Sequence, residues 1–158
     1  MLKVLLGCAI IAFFSFCGYL LSKRYRQRKY FFRQLYDFNQ RFLNEIAYYR
    51  RPIQEFSAKY TYQGEFDEVL HAYFFSLNDG VFDLSLYTFL KEEERGFIYD
   101  YFQMLGKGDS ASQKAYYVSV KETLLKWKTV SEDEGKKYED LYIKLGFLCG
   151  LFILILII

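Results

Sequence analysis

The sequence predicts an all-α protein: a helical bundle between an N-terminal and a C-terminal transmembrane helix. Three observations predict it. Charge-free apolar runs stand at both ends, Val4 to Leu21 and Leu145 to Ile158. Pro52 is the only proline, and glycines are few. Apolar residues between the runs recur at spacings of three and four, whereas alternation of period two is brief wherever it occurs.

A hydrocarbon core of ~30 Å needs ~20 apolar helical residues. The first run approaches that length. The second is lengthened by Leu141, Tyr142 and Ile143, with the stem of Lys144 able to snorkel. The expected organisation is a transmembrane helix at 1–22, a cytoplasmic helical domain at 23–140 and a transmembrane helix at 141–158. Lys23, Arg24, Arg26, Arg28, Lys29 and Arg33 follow the first run, and the first acid is Asp37. Such a cluster marks the cytoplasmic side, which puts both termini outside. Contact with anionic head groups is a second expected role for it. A cleaved signal peptide fits poorly, because the run is long, the charge follows it and no small-x-small site precedes Ser22. A lipoprotein signal at Leu5-Leu6-Gly7-Cys8 is rejected, since the cysteine precedes most of the run. A buried core helix is disfavoured by length and by the presence of two such runs.

Phe31, Leu35, Phe38, Phe42, Ile46 and Tyr49 line one helix face, which predicts one long helix from the first run to about Tyr49, ended by Pro52. A short helix from Ile53 to Tyr60 follows. Another spans Glu65 to Leu77 and stops at Asn78-Asp79-Gly80. Leu84 to Leu105 predicts one or two more. Gly106-Lys107-Gly108-Asp109 is a break: a glycine past a helix end takes the left-handed conformation cheaply, and Asp109 caps the next helix. That helix carries Tyr117, Val120, Leu124 and Trp127 on one face. Residues 131–137 are wholly polar. A loop is one reading, with Ser131 and Glu134 as a capping box. A solvated helix supported by Glu132–Lys136 and Asp133–Lys137 is the preferred one.

The net charge of +2 gives no general field for nucleic acid. Cys8, Cys17 and Cys149 lie in the apolar runs without paired spacing and read as small apolar residues. The 22% aromatic content reads as core filling rather than as a stacking surface, because the rings are spread throughout. His71, the lone histidine, has no ligand partner at metal spacing. Leu105 to Ser110 lacks the phosphate-loop spacing and has no strand before it. No catalytic residue, cofactor or metal is expected. Lys91 to Arg95 reads as a solvated helix face, with Glu92, Glu93 and Glu94 as a candidate partner edge. Gly146 and Gly150 form a small-xxx-small pair suited to close helix packing.

Three blocks resemble the stage III sporulation protein AB family. They are Leu43-Asn44-Glu45-Ile46-Ala47-Tyr48 with Pro52-Ile53, then Phe102 to Asp109 with Gln113, and Tyr142 to Gly150 with the apolar tail. Gly108 departs from the Ser or Thr more usual there, and residues 60–92 do not align. The resemblance implies a non-enzymatic platform in a complex joining mother cell and forespore across two membranes. It implies a soluble region similar to the platform-protein cytoplasmic domain of type II secretion. It also implies that Gly106, Gly108, Asp109 and Gln113 cap a turn or dock a partner, and that a cytoplasmic ATPase, the stage III sporulation protein AA, is that partner. The expected location is the mother-cell membrane around the forespore. The rival reading is a membrane-anchored regulator or sensor with a small-molecule pocket among the aromatics.

Overall fold

The computed structural model describes residues 2–48, 53–78 and 80–157. Among the described residues five helices form the regular structure: α1 Leu2–Tyr48, α2 Ile53–Ala58, α3 Glu65–Ser76, α4 Glu92–Gln103 and α5 Ser110–Ile157. No strand occurs among the described residues. The expected break at Tyr49 to Pro52 lies outside the described residues, as does Asp79. Residues 131–137 are helical throughout, within α5, so Ser131 caps nothing. Most of the segment 81–91 is turn and irregular chain rather than helix. There Asp83 accepts from the Ser85 N–H at 2.8 Å and from its hydroxyl at 2.7 Å, the local alternative to a helical ladder.

By its contacts the chain forms two units, Met1–Lys29 with Val130–Ile158, and Tyr30–Thr129. In the first, α1 and α5 run antiparallel. A Cβ on Gly146 would lie 2.5 Å from the Phe14 carbonyl oxygen, and one on Gly150 would lie 2.9 Å from the Ile11 Cα. Only glycine permits that approach. Tyr25 stacks near Tyr138 and Tyr142, with centroids at 5.1 and 5.7 Å. Arg28, which is buried, pairs with Glu134, and Glu139 takes both Arg26 (2.9 Å) and Lys29 (3.1 Å).

The membrane expectation is corrected here. Among the described residues no helix is long and apolar enough to cross a membrane. Lys23 and Arg24 bring charge to the inner end of one run, and Glu139, Asp140 and Lys144 to that of the other. The spans expected at 1–22 and 141–158 are overturned, and with them the two-pass topology and the outside termini. What the described parts of the two runs form is a helix pair, with Phe16, Leu148 and Phe152 exposed on its outer sides.

In the second unit the apolar stripe read from α1 becomes the core. Phe31, Phe32, Leu35, Phe38, Phe42 and Ile46 meet Phe56 of α2, Phe66, Val69, Leu70 and Tyr73 of α3, Ile98, Tyr101 and Phe102 of α4, and Tyr117, Val120 and Leu124 of α5. Phe38 is the hub, with five rings within 6.5 Å. Burying each such ring contributes about 1.5–3 kcal/mol. The stretch 81–90 adds Phe82, Leu84, Phe89 and Leu90 to this core, so it is a structural wall and not a free loop.

Candidate functional site

Asn39 is fully buried on α1 amid rings. Its Oδ1 accepts from the Tyr101 hydroxyl at 3.2 Å, and its Nδ2 donates to the Tyr117 carbonyl at 3.2 Å. The Tyr117 hydroxyl donates to the Tyr101 carbonyl at 3.3 Å, and the Tyr73 hydroxyl to the Leu105 carbonyl at 3.1 Å. Burial pushes the Tyr101 and Tyr117 phenols far above their ordinary range. Both stay neutral and act as fixed donors. The network sets the register of α1, α4 and α5. Sequence reasoning missed it; the one signal was a polar residue beside the apolar stripe.

The turn after α4 sits directly outside this network. Gly106 and Gly108 take φ of +74° and +85°, where a Cβ is strained. Asp109 accepts from the Ser112 N–H at 3.3 Å and so caps α5. Ser112, through its hydroxyl and then its N–H, holds the Asp109 carboxyl below the usual range. Gln113 donates to the Lys107 carbonyl at 3.1 Å and bridges the turn from the α5 side. These four residues stand together as one built turn.

The Glu92, Glu93 and Glu94 edge divides. Glu94 is 1% exposed, and its carboxylate accepts from the Lys91 N–H at 2.9 Å, closing the start of α4. Glu92 and Glu93 are exposed. Periodicity hides this division, because the role of Glu94 depends on where the helix begins. The basic cluster divides as well. Arg26, Arg28 and Lys29 are engaged by Glu134 and Glu139, whereas Lys23, Arg24 and Arg33 are exposed. Gly146 and Gly150 face α1, as described. His71 is exposed and lies 3.7 Å from the Asp67 carboxylate. Among the described residues no group of three or more His, Cys, Asp or Glu could hold a metal ion.

The family model described as stage III sporulation protein AB matches residues 3–158. No curated protein and no solved structure matches.

Proposed function

The chain belongs to the stage III sporulation protein AB family, and we propose that it serves there as a non-enzymatic helical scaffold that docks a stage III sporulation protein AA-type ATPase. The observation that carries this reading is the family match, which runs over residues 3–158. The architecture supports it. The polar groups inside the Tyr30–Thr129 unit hold helices in register, and Asp109 and Gln113 hydrogen-bond the backbone of their own turn. Such a body presents surfaces and transmits force.

Among the described residues no helix is long and apolar enough to cross a membrane, and the scaffold reading invokes no membrane span. A sensor with a ligand pocket among the aromatics gains no support. The rings of the Tyr30–Thr129 unit pack on one another with centroids between 4.6 and 6.5 Å.

The test is co-purification of the full chain with the AA-type ATPase of the same bacterium, followed by titration calorimetry. We expect a stable complex, no ATP hydrolysis by the chain alone and a changed turnover of the ATPase in the complex. ATP hydrolysis that survives mutation-controlled purification of the chain alone would defeat the scaffold reading. Absence of binding would remove the proposed partner.

A further inference from the structure

Six glycines lie inside helices: Gly7 and Gly18 in α1, Gly96 in α4, and Gly135, Gly146 and Gly150 in α5. Glycine in a helix interior is destabilising relative to alanine, so each needs a reason. Five have one within the fold. A Cβ on Gly7, Gly18, Gly135, Gly146 or Gly150 would press into the facing helix. Gly96 is the exception, for a Cβ there would meet nothing within 4 Å. The helix turns ~100° per residue, which sets Gly96 opposite the buried Glu94, Ile98 and Tyr101. It lies on the outward face with Glu92, Tyr99 and Gln103, spaced four, three and four apart. Tyr99 is 43% exposed, and Glu93 and Asp100 border the face. Its flanking cations are Lys91 and Arg95, the latter reaching the Ser85 carbonyl at 3.5 Å.

From this we propose that the outward face of α4 receives the outward face of α5 from a second copy of this chain. Two α4 faces cannot meet, since Glu92, Glu93 and Asp100 would oppose one another. The complement stands on the first turns of α5. Lys114, Val118, Lys121 and Leu125 recur at four, three and four residues, one stripe of a helix. Val118 is 50% exposed and Leu125 45%. Exposed apolar side chains between lysines match an acidic face with a missing side chain at its centre. Val118 or Leu125 of one copy seats over Gly96 of the other, beside Tyr99, while Lys114 and Lys121 approach the α4 acids. Glu122, the acid in this stretch of α5, stands four residues after Val118 and three before Leu125, so it borders the stripe, which Lys114 and Lys121 leave net positive. The contact is heterologous, joining unlike surfaces. It does not depend on the ATPase reading.

The test uses two differently tagged full-length chains in which Cys8, Cys17 and Cys149 are alanine. One carries Gly96→Cys. The other carries Val118→Cys or Leu125→Cys, with Thr61→Cys as an exposed control. A disulfide needs Cα atoms within ~7 Å, so it reports close approach of the helices. We expect at least about tenfold more mixed dimer with Val118→Cys or Leu125→Cys than with the control, through the raised effective concentration of a docked pair. Adding Glu93→Lys to the first chain should cut the yield. Adding Lys121→Glu to the second should restore it, which loss of folding cannot imitate. Salt at ~0.5 M should weaken the reaction by screening. Equal yield with the control, capture of the Gly96→Cys chain only by itself, or failure of the charge swap would overturn the proposal. Shielding of Gly96→Cys from maleimide by the ATPase, without a mixed dimer, would also overturn it and transfer the face to that partner.

Discussion

Asn39 shows how much one side chain can decide in an aromatic core. It gives the Tyr101 hydroxyl an acceptor and the Tyr117 carbonyl a donor, both in the interior. Asn39→Ala takes the acceptor from the buried Tyr101 hydroxyl, at about 1–3 kcal/mol, while the Tyr117 carbonyl keeps its bond within α5. Chemical denaturation of the full chain should show that loss, with Asn39→Asp no better because a buried carboxylate is worse still. Asp109 acts at the surface. Its folded pKa is lowered by Ser112, so its stabilisation is full above the ordinary carboxylate range and is lost as pH falls through the lowered folded value. The melting temperature of Asp109→Ala should therefore lie below that of the native chain at pH 7. The two should converge at strongly acid pH, and Asp109→Asn, itself a good cap, should lose less.

At the scale of elements, Gly96 and the glycines of the helix pair make opposite predictions. Within one chain nothing opposes a Cβ at Gly96, so Gly96→Ala should stabilise α4 of the undocked chain by about 0.5–1 kcal/mol, read as a rise in denaturation midpoint at high dilution. At Gly146 the Phe14 carbonyl stands in the way. Gly146→Val should separate α1 from α5 locally, and amide exchange should quicken in both helices between residues 7–22 and 140–154. The pair is also held by charge. Arg28 is 4% exposed, and removing Glu134 takes a carboxylate from its buried guanidinium. Glu134→Leu alone should cost more stability than Arg28→Met and Glu134→Leu together, because the double change leaves no uncompensated charge. A double-mutant cycle on thermal unfolding measures this directly.

For the whole molecule, the scaffold reading requires that partner binding follow the fold and not one chemical group. Phe38→Ala removes the hub of the aromatic core and should cost about 3–5 kcal/mol. Loss of the near-ultraviolet circular dichroism signal should then coincide with loss of ATPase binding. Binding that persists after the aromatic signal has collapsed would point to a linear segment as the recognition element.

The sequence by itself determined the helical class, the long first helix, the core stripe from Phe31 to Ile46 and the turn at Gly106 to Asp109. Those features rest on local physics: 3.6-residue periodicity, left-handed glycine and a carboxylate cap, all legible within a few residues. Family membership was legible for the same reason, since its blocks include that turn and the glycine pair. The tertiary structure decided what the side chains near these features do. It turned Arg28 from a topology signal into the buried half of an ion pair with Glu134, and Glu94 from an edge charge into a helix closure. It also made a wall of the segment 81–90, whose rings have no periodicity to betray them. Neighbours far apart in sequence settled each case: Glu134 lies 106 residues from Arg28, and Tyr117 lies 78 from Asn39. The apolar ends divide the same way. Their composition is local, but the packing of Gly146 against Phe14 and of Gly150 against Ile11 is a property of two helices that meet only when the chain is folded.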